Sequence, residues 1–370
     1  MIRHPRRLQG VASFTLVEMI VAIAVLSILL LLAAEVITKT SSIWIYSNSK
    51  MAEGREARVA FNSLVSRLGE ATVDQYYGYT NYNAEAGTTN AAVYVPGAYV
   101  RRSELRFISG PSATINTTVA NSPTDAVFFT APLGIVTPTD EATYGHLPSL
   151  LNVCGYYIQW SNVDPDRPTI PGLPTTGSYR FRLMQFVQPS EQMSVYSQTI
   201  PLSSSNTNGN YPAFQFVTGT SWQNKAMNNS ASVGVHPLAD NVVALLLLPS
   251  SSTTNSTGVL APGFLYDSEN PTAGATTPAL TSLNRTPPVM RVVMYTIDEP
   301  SAKRLAGTST TMPPLYTGLF SNSSLLYPNS TTGDAGDLAR FEQVLVANKL
   351  TFHRFDAAVQ LPRQPWNTQN

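Results

Sequence analysis

Ser13-Phe-Thr-Leu-Val-Glu18, running without a break into Met19-Ile-Val-Ala-Ile-Ala-Val-Leu-Ser-Ile-Leu-Leu-Leu-Leu-Ala-Ala34, decides how this chain is read. One carboxylate, Glu18, stands near the head of an otherwise apolar run. As a helix, residues 14–34 measure roughly 31 Å, which matches a hydrocarbon core of about 30 Å. A charge at membrane depth costs about 2.5–3.5 kcal/mol on insertion scales, so it persists where a function needs it. Arg3, His4, Arg6 and Arg7 precede the run, and only Lys39 and Lys50 follow closely. Positive charge ahead of the span predicts a cytoplasmic N-terminus, with everything after residue 40 outside. Trp44 and Tyr46 are placed to anchor the far interface, and Glu35 falls at the same level.

The small residue before Phe14, then Thr15-Leu16-Val17-Glu18 and the apolar run, resembles the processing site of type IV prepilins and type II secretion pseudopilins. The resemblance implies a leader of residues 1–13. A membrane prepilin peptidase would cut between Ser13 and Phe14 and methylate the new amino group. The family's commonest residue before the cut is Gly. Ser13 departs from that but stays small, and Gly10 lies three residues too early. Thr15, Leu16 and Val17 would be recognition context, and Glu18 would act in assembly, facing the Phe14 amine of a neighbouring subunit. Pairing two buried charges offsets part of their desolvation, whereas either alone is costly. Two other readings compete. A cleavable secretory signal has a shorter core and a small-x-small site, which Ala33-Ala34-Glu35 only imitates. A plain signal anchor explains length and charge but not the Phe-Thr-Leu-Val-Glu order.

The helix is expected to continue. Phe61, Leu64, Val65, Leu68 and Ala71 form one apolar stripe, with Glu53, Arg55, Glu56, Arg58, Asn62, Ser66, Arg67 and Glu70 on the other side. The division predicted is a transmembrane helix over 14–37, a periplasmic amphipathic extension over 38–75, and a β-rich globular domain over 76–370. Gly54 and Ser47–Lys50 are expected soft points in the helix.

Tyr76–Asn83 reads as a turn-rich aromatic loop, with a packed and a sticky surface both open to it. Strands are predicted at Leu105–Ile108, Ala126–Ala131, Cys154–Trp160, Tyr179–Val187, Asn241–Leu248 and Met290–Ile297. Tyr179–Val187 starts in alternation, like a strand with one wet face. Val242–Leu248 is apolar on both faces and reads as a central strand. Asp337–Leu350 predicts a short helix with Leu338, Phe341 and Leu345 inward and Val344 beside them. Thr351–Phe355 and Ala358–Leu361 predict two final strands. Pro165–Ser178, Ser190–Asn224 and Pro249–Pro288 read as surface loops.

Composition excludes several classes of function. Net charge is zero and charged residues make up 12%, so no basic surplus is there to hold nucleic acid. Cys154 is the single cysteine, in a strand-like apolar run that predicts a buried, inert thiol. His4, His146, His236 and His353 show no metal-ligand spacing, and His353, between aromatics, reads as structural. There is no nucleophile elbow, phosphate-binding glycine loop or Cys-x-x-Cys. Asp164/Asp166, Asp267/Glu269, Asp298/Glu299 and Asp334/Asp337 could supply oxygen ligands to calcium, as in some pseudopilins, but none completes a loop pattern and solvated turns are expected. Arg101-Arg102 and Arg180/Arg182 are too few for a nucleic-acid track.

The expected fold is therefore α+β: a long N-terminal transmembrane-plus-amphipathic helix packed on a mostly antiparallel sheet, as in pilins. Glu56–Glu70 looks like the minor pseudopilin J and its minor-pilin relatives. Tyr179–Glu191, with Arg354-Phe355 and Trp366, resembles the prepilin-like proteins of the Verru/Chthon cassette. The function implied is a non-enzymatic minor pseudopilin-like subunit, assembled with other pilins or pseudopilins at the bacterial inner membrane, with no cofactor. The alternatives are a minor pilin of a type IV pilus serving adhesion, motility or DNA uptake, or a signal-anchored periplasmic binding protein or enzyme.

Overall fold

The computed structural model describes residues 15–73, 75–79, 82–84, 94–96, 99–103, 105–116, 119–162, 178–193, 234–250, 265–268, 285–307, 309–321, 325–328, 333 and 335–362. The chain divides into two units, residues 1–54 and 55–370. Helix α1 runs Leu16–Gly69. Then come β1 Gln75–Tyr79, β2 Tyr82–Ala84, β3 Tyr94–Pro96, β4 Tyr99–Ser103, β5 Ile108–Pro111, α2 Ser112–Ile115, β6 Asp125–Pro132, α3 Glu141–Tyr144, β7 Leu151–Asn162 and β8 Tyr179–Gln188. The remainder comprises β9 Gly234–Asp240, β10 Val242–Ser250, β11 Tyr266–Asp267, β12 Val289–Ile297, α4 Glu299–Ala306, α5 Asp337–Ala347 and β13 Phe352–Gln360. The architecture is α+β, and every strand pairing among the described residues is antiparallel.

Two sheets carry the second unit. One has the order β11-β5-β6-β7-β8-β9, the other β10-β12-β13. Side chains alternate across a strand, and the larger sheet uses that to serve two cores. Val127, Phe129, Cys154, Tyr156, Ile158, Phe181 and Leu183 face one core, which includes β10, β12 and the buried stripe Ala57, Ala60, Phe61, Leu64 and Leu68 of α1. Ala126, Phe128, Val153, Tyr157, Met184 and Phe186 face the other. Cys154 is fully buried, and burial pushes its thiol up to about 11.

Several sequence expectations change. The α1 helix includes Ser47–Lys50 and Gly54, the expected soft points, and the boundary between the two units falls just after Gly54. The helix stops at Gly69 rather than near residue 73, and the Thr72 N–H instead donates to Thr130 O on β6 at 2.8 Å. The tyrosine-rich 76–83 stretch, expected as a loop, supplies β1 and β2, which pair with β4 and β3; tyrosine favours strands. Strand β5 begins only at Ile108, with Leu105–Phe107 leading in. The two expected final strands are one, β13, paired along its whole length with β12. Within the expected 249–288 loop, β11 pairs with β5 and is buried.

The expectations for β8 and β10 fail for a shared reason. On β8 there is no wet face, since Arg180 and Arg182 are only 7% and 4% exposed. Arg180 donates to the Glu299 carboxylate and Arg182 Nε to Asp240 Oδ1 at 3.2 Å, so both guanidinium groups are buried against carboxylates that stay partly exposed. Strand β10 is all but fully buried, yet it lies at the edge of its sheet and not at the centre. Its open edge is closed by side chains. Thr124 Oγ1 accepts from Leu245 N–H at 3.2 Å, and Asp125 Oδ2 accepts from Leu247 N–H at 2.8 Å. Thr124 has a positive φ of 60°, a sparsely populated conformation that sets both acceptors at the start of β6.

This packing makes two outcomes measurable. A Cβ on Gly155 would lie 2.3 Å from Cδ1 of Phe128, its cross-strand neighbour. Gly155→Ala should therefore cost about 1–3 kcal/mol, read as a lower melting temperature, and Phe128→Leu in the same chain should recover part of it. Burial lifts the Asp125 carboxyl to about 8, against the opposing pull of the Leu247 N–H. The folded chain thus holds this proton more tightly than the unfolded chain, whose pKa is about 3.9. The stabilisation is complete below about pH 4 and is lost as pH rises towards 8, by up to about 1.4 kcal/mol per pH unit. Asp125→Asn keeps an acceptor for Leu247 and cannot ionise. Its melting temperature relative to the parent, in detergent-solubilised full-length chain, should climb between pH 5 and 8, and a flat difference would refute the assignment.

Candidate functional site

The acid-bearing motif at the head of the apolar run forms the first turn of α1. Ser13 and Phe14 lie outside the described residues, so the expected cut site has no structural account. Thr15 immediately precedes the helix, with Leu16, Val17 and Glu18 in its first turn. Glu18 Oε2 accepts from the Thr15 N–H at 3.0 Å and from the Thr15 hydroxyl at 3.1 Å. In return the Glu18 N–H lies 3.3 Å from Thr15 Oγ1 as acceptor. This reciprocal arrangement is a capping box, which satisfies amides that the helix itself leaves open. Its signal is present in the sequence, as Thr-x-x-Glu ahead of an apolar run, and is legible without any resemblance.

The box matters because it opens an uncovered apolar helix. Within Leu16–Trp44 an 18-residue window reaches a mean hydropathy of 2.9, and none of that window is buried. Among the described residues this is the one helix long and apolar enough to cross a membrane. In lipid, an open N–H costs several kcal/mol. Ser27 and Thr38, polar residues inside the run, turn their hydroxyls back to Ile23 O and Ala34 O, each at 2.8 Å. Further along, Lys39 Nζ pairs with Glu35 Oε1 at 2.6 Å, one turn away.

Elsewhere the groups weighed for chemistry are engaged in structure. Asp267 takes a two-pronged bond from Arg106, at 2.9 and 2.5 Å. Asp298 caps α4 by accepting from Ser301 N–H at 3.1 Å, and Asp337 accepts from Phe320 N–H at 3.0 Å. Glu299 meets Arg180 and, at 3.1 Å, Asn241 Nδ2; burial works to raise its carboxyl, but these bonds hold it below the usual range. Among the described residues no group of three or more His, Cys, Asp or Glu is placed to hold a metal ion. Residues 164, 166, 269 and 334 fall outside the described residues. So do the side chains of Arg101, Arg102 and the tyrosines of 76–82, and the whole of Trp366. His146, His236 and His353 are exposed, and His353 lies on β13 next to Phe352.

The Tyr179–Glu191 stretch is a structural hub. Phe181 packs against Trp160 at 4.7 Å between ring centres and meets Tyr316 edge-on at 5.9 Å. Arg354, near the C-terminal end, bonds Asp356 Oδ2 at 2.8 Å and Glu342 Oε1 at 3.3 Å.

Residues 9–34 match the family model for the prokaryotic N-terminal methylation motif. The match supports a type IV pilin-like protein with prepilin-type processing, a class that is structural and not enzymatic, and with the apolar helix it points to membrane anchoring. No curated protein and no solved structure matches the chain.

The capping box predicts the effect of losing its hydroxyl. Thr15→Val should cost the first turn about 1 kcal/mol. In micelles, amide hydrogen exchange at Glu18, whose N–H loses its acceptor, should then quicken about fivefold, with residues beyond 25 unchanged.

Proposed function

We propose that this chain is a minor pseudopilin-like structural subunit, built into a filament or its tip complex of the type II secretion kind. The observation that carries the reading is the union of a capped, acid-bearing first turn with an apolar helix left uncovered among the described residues. Such a helix needs lipid before assembly and other helices after it. The methylation-motif match supports the same account.

Ser13 and Phe14 flank the cut made by a prepilin peptidase, and Thr15, Leu16 and Val17 complete its recognition. The chain sits in the bacterial inner membrane with its arginine-rich start in the cytoplasm, while residues after the span form a periplasmic domain. Cutting creates an amine on Phe14. Glu18 of one subunit pairs with that amine on the next, and this sets axial register much as a buried polar group does in a coiled coil. Phe61, Leu64 and Leu68, in the continuation of α1, pack into the core of the β domain. The partners are other pilins or pseudopilins, and the work is assembly, without substrate turnover. The run Glu56–Glu70 is the feature that favours the J-like minor class.

Mass spectrometry of the membrane-extracted protein tests this reading. The expected N-terminus is methylated Phe14. A chain still starting at Met1 in cells with an active leader peptidase would overturn it. Glu18→Ala should be cut normally but recovered with its partner subunits at a tenth of the parent level or less, and full co-assembly of that variant would remove the role given to Glu18.

A further inference from the structure

The loop between β6 and β7 is held as a built structure. The Gly134 N–H donates to Leu150 O at 3.0 Å and closes the loop at its neck. Gly134 has a φ of 65°, and a Cβ there would meet Pro148 at 2.9 Å, so the neck requires glycine. Asn152, fully buried, clamps the entry from below: its Oδ1 accepts from Ile135 N–H at 3.0 Å, and its Nδ2 donates to Ile135 O at 2.7 Å and Gln188 O at 3.0 Å. Ser190 ties the end of β8 to the same loop through its hydroxyl to Leu151 O at 2.8 Å and its N–H to Ile135 O at 3.1 Å. Compact loops with closed necks are frequently binding elements.

Between this loop and the end of β8 lies an open cleft of about 530 Å³, with a floor of Val136, Leu150 and Leu151 and a rim of Tyr144, Ser149 and Glu191. Tyr144 and Leu147 remain 44% and 40% exposed, unusual for large apolar residues of this unit. The rim is acidic. Glu191 Oε1 accepts from Thr137 N–H at 2.5 Å, and the Thr137 hydroxyl donates to Asp140 Oδ2 at 3.0 Å. Burial would raise the Glu191 carboxyl, but the Thr137 bonds outweigh it and hold it below the usual range, so it is charged at neutral pH. Glu141 stands on the same loop, and residues 133–151 contain no Lys or Arg. An apolar floor beside a carboxylate that forms no ion pair among the described residues discriminates by charge as well as by shape.

We propose that this cleft is a docking site for a short segment of a partner protein that presents a bulky apolar side chain next to a Lys or Arg. The apolar group seats over Val136, Leu150 and Leu151, and the cation meets Glu191 at the rim. An acidic segment is repelled by Asp140, Glu141 and Glu191.

The test uses the full-length chain in detergent and a fluorescein-labelled synthetic peptide in which lysines flank a leucine and a phenylalanine, with binding read by fluorescence anisotropy. The control peptide has glutamates for the lysines. The lysine peptide should bind at least tenfold more tightly than the control, and the margin should shrink in high salt. Ser149→Trp, on the rim, should fill the cleft and abolish binding with an unchanged melting temperature. Glu191→Gln keeps an acceptor for Thr137 and should weaken the lysine peptide about fivefold while leaving the control unaffected. Equal affinity for the two peptides, no binding of either, or binding untouched by both substitutions would overturn the proposal. N-terminal processing plays no part in this measurement, so its outcome is separate from that of the assembly reading.

Discussion

The structure turns on an apolar helix whose side chains stay uncovered among the described residues. From Leu16 to Trp44 the apolar side chains are exposed, and Ser27 and Thr38 bond back to the helix backbone. In water such a surface is costly at about 25 cal/mol per Å². In lipid the cost vanishes and a different one replaces it, because each open amide must find an acceptor. The Thr15–Glu18 box meets that demand at one end with residues that the motif already contains. The same carboxylate therefore has a local role in the single chain and, on the proposed reading, an intermolecular one in the filament. A group able to exchange one set of donors for another is well suited to a step that moves a subunit from lipid into an assembly.

Within residues 55–370 the governing problem is how to pack two sheets without leaving an open edge between them. The six-stranded sheet feeds two cores by alternation, and the three-stranded sheet lies against one of them. Strand β10 is the point of difficulty, an edge strand buried on both faces. A buried unpaired amide would cost about as much as a lost hydrogen bond. Thr124 and Asp125 supply the acceptors from outside the sheet, and the chain accepts a positive φ and a buried carboxyl to do it. The partly buried ion pair Arg180–Glu299 and the buried pair Arg106–Asp267 solve the matching problem for β8 and β11. Such pairs are weak evidence of stability, but losing one partner leaves an uncompensated charge.

Much of this is legible in the residues. Helical periodicity picks out Phe61, Leu64 and Leu68 as inward-facing, and likewise Leu338, Phe341 and Leu345; all six are buried. Runs of β-branched and aromatic residues locate β6, β7, β8, β10 and β12 to within a few residues. The departures cluster where burial depends on a distant partner. Arg180 and Arg182 look like solvent-facing positions until Glu299 and Asp240 are brought beside them from 119 and 58 residues away. Val242–Leu248 looks central because its composition reports burial, which a strand at a sheet edge can share when another layer covers it. The β6–β7 loop gives no sequence signal as a site, since its cleft depends on Asn152 and Ser190 meeting Ile135 in space.

The sequence by itself determined the apolar helix, its acid-bearing first turn, its amphipathic continuation and the antiparallel β character of the larger unit. These are local properties, set by period, propensity and residue type over a few turns or one strand. Tertiary structure alone decided which strand ends at an edge, which charges are buried in pairs, how Asp125 comes to close β10, and where the chain leaves a cleft. Each of those depends on contacts between residues far apart in the chain, and a pattern read along one segment carries no record of what lies across from it.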